Sequence, residues 1–379
     1  MKVKVLLAHS QKPPTETRIF EKLAAGLVGV KNIEIKIVGS KSWIEFPNTN
    51  PIKMEGIFTS DRRLIFRIIN IFRYWKALNT FSPDVLIVCS IDLLIPGILY
   101  AIKNKVKIIY DFQENTVMNV KFQQIYLEGG FTRISQILYL ILPQVFRYVD
   151  SFWFAEKIYH EQMNMPLDKF IILENKVPEF WIQLLKSQNS IIKSWEDTRF
   201  LFSGVITEES GILKGIEFFT AFQKCFAQST FTILGVIPNY KLKKKLQDAA
   251  TENQKIQIVN EGKWASSEVI LKGYLNCDAV FFSYNETLAN KGKLPTKLFE
   301  SMFLGKPVLY QEKGHFSAQI EDHKAGIPVD YENIESNDFH KIKKLVKEFH
   351  SVTSEKNAFV FDTNIMIADF NRLISPSGF

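Results

Sequence analysis

Cysteine is scarce: the 379 residues hold 3, at Cys89, Cys225 and Cys277. That spacing makes neither a disulfide framework nor a zinc site, and it fits a reducing compartment. The six histidines, at positions 9, 160, 315, 323, 340 and 350, are scattered without metal-ligand spacing. No Asp-x-Asp occurs. GxGxxG and GxxxxGK[ST] are also missing, which removes support for a dinucleotide enzyme or a P-loop ATPase. No uncharged apolar run reaches 18 residues, so a membrane-spanning helix is not expected. The opening run Val3–Ala8 is too short for a signal peptide and reads as a first strand.

What is present is a globular composition, 46% apolar and 23% charged. At this length it predicts two domains. The 32 Phe residues call for a large core. Charge is uneven. Residues 1–180 carry 23 Lys and Arg against 17 Asp and Glu, whereas the remainder carries 24 against 23. A basic first half attracts phosphates, an anionic membrane or nucleic acid. No nucleic-acid reader motif accompanies it, so nucleic acid is set aside.

Strand and helix signals alternate along both halves. Val3–Ala8, Ile33–Val38, Val85–Cys89, Val106–Tyr110 and Ser151–Ala155 read as strands, with helical patterns over Arg18–Val28, Asp61–Leu78 and Pro96–Lys103. Residues 40–60 lack periodicity and read as loop. Asp61 is the expected N-cap of its helix. After a polar stretch to Asp197 the rhythm restarts, with strands at Phe200–Ser203, Phe231–Leu234, Ile256–Val259, Ala279–Ser283 and Val308–Tyr310. Pro295 opens a helix that Gly305 closes. The tail, Asp338–His350 and Asp362–Ile374, is helical. This pattern predicts an α/β protein with two Rossmann-like doubly wound domains facing a cleft. Ligands in such sheets sit at the carboxyl ends of the strands.

Three segments at strand ends carry chemistry. Tyr110-Asp111-Phe112-Gln113-Glu114-Asn115 sets two carboxylates past a buried strand, a pair suited to proton transfer or to stabilising positive charge. The bland alternative is that Asp111 caps the next helix. Ser203-Gly204-Val205-Ile206-Thr207 offers backbone amides to a phosphate, with Lys214 in the following helix as a positive charge. In Leu294–Val308, Lys297 and Glu300 stand one helical turn apart. A carboxylate there can accept hydrogen bonds from a ribose diol, and a lysine can meet a diphosphate as a point charge. A solvated i,i+3 pair is the bland alternative. His9, ending the first strand, is a further candidate for a ligand-facing role. Asp61–Leu78 mixes Arg62, Arg63, Arg67, Arg73 and Lys76 with Ile65, Phe66, Ile69, Phe72 and Trp75. It reads first as a helix covering the sheet, and second as a membrane-surface helix. Ile134–Val149 is similarly apolar.

Leu294–Val308 resembles the donor-site helix of GT-B glycosyltransferases, in the large retaining family 4 typified by bacterial surface-polysaccharide enzymes. Ile109–Glu114 resembles that family's motif of Tyr-Asp, an aromatic or small residue, His and Glu. Thr17–Glu21 resembles its first-helix motif, and Phe202-Ser203-Gly204 with Lys214-Gly215 its phosphate loop. The resemblance implies an acceptor-side domain over 1–180, a donor domain over 181–360, and a final helix over 361–379 crossing back onto the first domain. It implies transfer of a sugar, with retention, from a nucleotide-diphosphate sugar to a polysaccharide or lipid-linked acceptor, as in lipopolysaccharide or capsule synthesis. Gly204, Lys214, Lys297 and Glu300 would bind the donor, and Asp111 and Glu114 would lie by the reacting sugar. No cofactor or essential metal is implied. The expected location is cytoplasmic, with peripheral contact on the inner face of an anionic membrane. This chain departs at Gln113, where the family has His, and at Gly292, where it has Glu. Those departures keep open a GT-B pseudoenzyme that binds a carbohydrate or partner without turnover. A nucleotide-sugar epimerase is the other alternative. Residues 115–131 are expected to shape the acceptor side, and Glu261–Trp264 to lie by the base.

Overall fold

The computed structural model describes residues 2–41, 51–59, 61, 63–114, 142–163, 169–186, 197–262, 265–285, 292–349 and 356–375. The expectations for residues 115–131, the start of the helical zone before residue 142, and Trp264 lie outside them. The chain divides into two compact units: Met1–Pro178 with Phe361–Phe379, and Glu179–Val360.

The first unit holds a seven-stranded parallel sheet in the order β3-β2-β1-β4-β5-β6-β7. The strands are β1 Val3–Ala8, β2 Ile33–Ser40, β3 Ile52–Phe58, β4 Val85–Val88, β5 Lys107–Phe112, β6 Ser151–Phe154 and β7 Phe170–Ile172. Buried parallel strands are covered on both faces, so they read as near-continuous apolar runs. β4 is Val-Leu-Ile-Val with every residue buried. Helices α1 (Leu64–Phe81) and α2 (Leu94–Asn104) cover one face through Tyr74, Leu78, Ile98 and Tyr100. The other face takes Ile19 and Leu23, together with Met366 and Phe370 of the C-terminal helix Thr363–Ile374. Arg18–Ala24 is π-helical, a wide turn frequent at functional sites.

Asp369 pins the C-terminal helix. Its carboxylate accepts from Ser151 Oγ at 2.7 Å, Trp153 Nε1 at 2.8 Å and Arg372 Nη2 at 2.6 Å. Asp369→Ala leaves a buried indole N–H and hydroxyl without an acceptor. It is expected to cost about 2 kcal/mol, seen as a lower melting temperature by calorimetry. An unchanged transition would remove Asp369 from the account of how this helix is held.

Three sequence expectations change here. Residues 40–60 are not all loop, because β3 occupies Ile52–Phe58 and pairs with β2. The strand is half-exposed at the sheet edge, and only the alternation of Ile52 and Met54 with Lys53 and Glu55 marks it. Asp61 does not cap α1, whose N-cap is Arg63. The Asp61 carboxylate is instead spent on the Arg63 guanidinium at 2.7 Å. Arg18–Val28 is not a uniform α-helix, since its first part is π-helical.

The second unit has a six-stranded parallel sheet, β10-β9-β8-β11-β12-β13. Its strands are β8 Arg199–Val205, β9 Thr230–Val236, β10 Ile256–Gly262, β11 Ala279–Phe282, β12 Val308–Gln311 and β13 Gly326–Val329. Phenylalanines pack one face of this sheet. Phe200 stacks on Phe281 with centroids 4.9 Å apart, and Phe218, Phe222 and Phe231 meet these two rings edge-on. Helix α3 (Ile212–Cys225) lies over this face, and α4 (Thr296–Leu304) follows the loop after β11. Both sheets reverse direction of winding beside their first strand, between β1 and β4 and between β8 and β11. Those reversals are where open α/β sheets bind ligands.

Candidate functional site

In the first unit, the ends of β1 and β5 carry a connected polar cluster. Arg18 is buried, and its guanidinium grips Asp111. Nε lies 3.1 and 3.0 Å from the two carboxylate oxygens, Nη2 lies 2.6 Å from Oδ1, and Nη1 donates to the Leu173 carbonyl at 2.9 Å. Asp111 is part of strand β5, and its carboxylate is taken up by Arg18 and Gln113. Gln113 Nε2 donates to Asp111 Oδ2 at 2.7 Å, and its Oε1 accepts from Lys12 Nζ at 2.7 Å. Both ends of the amide are therefore fixed. Lys12 in turn pairs with Glu16 at 2.9 Å. Burial alone would raise the Glu16 carboxyl, but Lys12 and the Ile19 amide outweigh it and hold the group down at about 2. Glu114, by contrast, is exposed at the end of the run.

His9 braces the turn after β1. Its Nδ1 accepts from the amides of Gln11 and Lys12, each at 3.1 Å. Burial, helped by Lys12, lowers its pKa to about 3, so the ring is neutral with its proton on Nε2. Cys89 is buried nearby, and desolvation pushes its thiol well above the ordinary range. That thiol is unreactive at neutral pH.

In the second unit, Gly204, one residue before the end of β8, has φ +103°, and a Cβ there would meet nothing within 4 Å. The corner is open, and its backbone is accessible to a ligand. Ser210 closes the following turn through Thr207. Gly211 has φ +77°, and a Cβ would fall 1.5 Å from the Ser283 carbonyl oxygen, so only glycine fits between that loop and the end of β11. Lys214 lies in the first turn of α3, and its ammonium pairs with Glu332. It lines an open polar cavity of about 450 Å³ with Tyr284, Asn285, Gln311, Lys313 and Glu332, at the ends of β11 to β13.

Lys297 and Glu300 follow on α4. They are 5% and 9% exposed, so this is not a solvated surface pair. Lys297 Nζ lies 4.1 Å from the Phe202 ring centroid and 4.7 Å from that of Tyr284. Among the described residues its ammonium has no hydrogen-bond partner. Burial lowers its pKa to about 7 against the pull of Glu300. Tyr274 joins the group: its hydroxyl lies 2.9 Å from Ser203 Oγ and donates to the Lys297 carbonyl at 3.2 Å. Burial first, and then Glu300, hold that hydroxyl protonated. Lys297, Glu300 and the Gly204 corner thus converge through Phe202, Ser203 and Tyr274. Lys214 points elsewhere, into the cavity. Sequence reasoning missed Tyr274 and Tyr284, and it named Phe202 only as part of the phosphate loop, not as a ring over Lys297. They come from three separate elements, and an aromatic at a strand end carries no signal that it covers a lysine.

Among the described residues, no three His, Cys, Asp or Glu side chains come together as metal ligands, and no helix is long and apolar enough to cross a membrane.

No family model matches the chain, and no curated protein matches its sequence. Solved structures do. Sucrose-phosphate synthase from Thermosynechococcus elongatus aligns with a TM-score of 0.68 at 10% identity, over 99% of this chain and all of that one. HepE of Anabaena, in complex with UDP and glucose, aligns at 0.64 and 12% identity, over 99% and 100%. UDP-GlcNAc 2-epimerase of Methanocaldococcus jannaschii, with UDP-GlcNAc and UDP, aligns at 0.59 and 14% identity, over 98% and 100%. At such identities the likeness speaks for the fold. The chain has the GT-B fold, built from two Rossmann-like α/β units.

Proposed function

We propose that the protein transfers a sugar from a nucleoside-diphosphate sugar to a glycan or lipid-linked acceptor, with retention at the anomeric carbon. The observation that carries this reading is Lys297: a buried ammonium with no hydrogen-bond partner among the described residues, one turn from a buried carboxylate and close to an open glycine corner. Glu300 offsets only part of the cost of burying this cation, and a diphosphate supplies further negative charge. Lys297 and the backbone at Gly204 meet the diphosphate, and Glu300 takes the ribose hydroxyls. Lys214, lining the neighbouring cavity, faces the sugar side of the donor. The leaving diphosphate is stabilised by these groups, without an essential metal. In the first unit, Glu114 is the carboxylate that a substrate can reach, and Asp111 fixes the strand end that carries it. GT-B structures with UDP and glucose, or UDP-GlcNAc, support the choice of donor class.

The test is a thermal-shift screen against UDP, GDP, ADP, CMP and their sugar conjugates, repeated with Glu300→Ala. A ligand at 100 times its Kd should stabilise by about 2.7 kcal/mol. The expected result is a shift with one diphosphate, weakened at least tenfold in Glu300→Ala. No shift with any nucleotide would sink the donor site.

A second reading is a nucleotide-sugar epimerase, favoured by the alignment with UDP-GlcNAc 2-epimerases. Incubation with donor alone separates the two. An epimerase converts the donor with no acceptor present. A protein that binds the donor but neither converts nor transfers it is the non-enzymatic carbohydrate-binding alternative. A lipid-linked acceptor would bring peripheral contact with an anionic membrane on its cytoplasmic side.

A further inference from the structure

The cavity at the ends of β11 to β13 shares a wall with the Lys297 pocket. Tyr284 supplies that wall: its ring faces the Lys297 ammonium at 4.7 Å, and it also lines the cavity of about 450 Å³. The lining comes from the second unit. It includes an ion pair between Lys214, in the first turn of α3, and Glu332, in the loop after β13. The Lys214 ammonium touches Glu332 Oε1, yet 28% and 69% of the two side chains stay exposed. Neither partner is used up. An ammonium has three donors and a carboxylate about four acceptor sites, and the pair consumes one of each.

The loop that carries Glu332 is held from within. Asp330 Oδ1 accepts from the amides of Glu332 at 2.9 Å and Asn333 at 3.0 Å. The Tyr331 amide donates to Gln311 Oε1 at 2.8 Å, and its buried hydroxyl donates to the Leu309 carbonyl at 2.8 Å. Asn337 Oδ1 accepts from the Asp330 amide at 2.9 Å, and Asn337 Nδ2 donates to the Asp330 carbonyl at 2.8 Å. An exposed ion pair is ordinarily worth little, in part because its side chains must be ordered to meet. Here the backbone beneath the carboxylate is already fixed, so Glu332 is presented to the cavity.

A ligand that suits this pair must donate and accept at once. A sugar hydroxyl does both: it donates to Glu332 and accepts from Lys214. The carboxylate of a uronic acid only accepts, so it can meet Lys214 but is repelled by Glu332. The rest of the lining offers it no surplus of positive charge, since Lys313 is matched by Glu312. We propose that this cavity takes the sugar of the donor and that Glu332 selects a neutral, hydroxylated one. The inference rests on the donor reading above and adds the class of sugar to it.

The test is calorimetric titration of the parent and Glu332→Gln with ligands that share one base, the one picked out by the nucleotide screen. They are the nucleoside diphosphate alone, its neutral hexose conjugates and its hexuronate conjugate. In the parent, the best neutral conjugate should bind at least about tenfold tighter than the uronate, the weight of a hydrogen bond to a charged group. In Glu332→Gln that ratio should fall to about threefold or less, because the amide can donate to the uronate. The diphosphate alone should bind both proteins alike. Glu332 is exposed, so the variant should melt with the parent. A parent that binds the uronate as tightly as every neutral conjugate overturns the inference and leaves the donor reading standing. So does a variant that keeps the parent's ratio, or one that shifts every ligand equally, since Glu332 would then act only through Lys214. Failure of every nucleoside diphosphate to bind the parent overturns both.

Discussion

Lys297→Met is expected to raise the melting temperature of the protein and to abolish nucleotide binding. Both effects follow from the same buried ammonium. In the unfolded chain Lys297 keeps its ordinary pKa of 10.5, whereas burial in the fold lowers it to about 7. The folded state therefore disfavours the charged form, and each tenfold in that equilibrium is about 1.4 kcal/mol. Phe202 and Tyr284 recover part through their ring faces. Methionine keeps the flexible apolar stem and gains favourable sulfur–aromatic contact. A net gain on the order of 2 kcal/mol, seen as about 5 °C in the transition, is expected. Binding should fall more than a hundredfold, because the diphosphate loses its buried positive charge.

The sign with pH is fixed by the direction of the shift. Below about pH 7 Lys297 is protonated in both states and the full penalty applies. Between that point and its unfolded pKa the unfolded chain binds more protons, so parent stability rises with pH. The advantage of Lys297→Met should thus be greatest below pH 7 and fade toward pH 10. Donor binding runs the other way. An incoming diphosphate restores the charge, so binding at pH 8 takes up a proton and weakens as pH rises further. Calorimetry in two buffers of different ionisation heat reads that proton directly. A variant that melts higher yet binds nucleotide unchanged would remove Lys297 from the donor site and leave only its burial cost.

The double-wound architecture was legible because most strands are buried on both faces and read as unbroken apolar runs. The strands that escaped are edge strands. β3 sits among Pro51 and Gly56 and is half-exposed. β13, Gly-Ile-Pro-Val, carries Pro328, which a sheet tolerates only where no ladder donor is needed. On α4, Lys297 and Glu300 stood out because Pro295 and Gly305 bracket their helix. Their environment did not. An i,i+3 Lys–Glu pair is ordinarily solvated, and the rings that cover Lys297 come from β8 and from the loop after β11. Arg18 and Asp111 belong to separate motifs 93 residues apart, and no local pattern joins them. Gln113 looked like a gap where a histidine belongs. In the fold it is the amide that joins Lys12 to Asp111, a role that needs one donor and one acceptor at fixed ends.

Arg18→Leu and Asp111→Asn are each expected to cost about 3–5 kcal/mol, because removing one partner strands the other as a buried, uncompensated charge. In a unit of this size the transition should fall by about 10 °C or more. The double replacement Arg18→Met, Asp111→Leu should recover part of that loss. Apolar groups of similar size often substitute for a buried pair at little cost. Recovery stays incomplete here, since the Leu173 carbonyl loses Nη1 and the Gln113 amide loses its acceptor. Non-additivity of that double against its own singles, Arg18→Met and Asp111→Leu, measures the coupling in a mutant cycle. The same variants sort the two carboxylates of this strand end. If Asp111 anchors and Glu114 meets substrate, Glu114→Gln should retain the parent melting temperature while turnover collapses. Asp111→Asn should instead lose stability first, and its folded fraction should keep measurable transfer. An Asp111→Asn protein that melts with the parent and transfers nothing would reverse that assignment. Asp111 would then be the reacting carboxylate, and Arg18 the group that holds its charge in place.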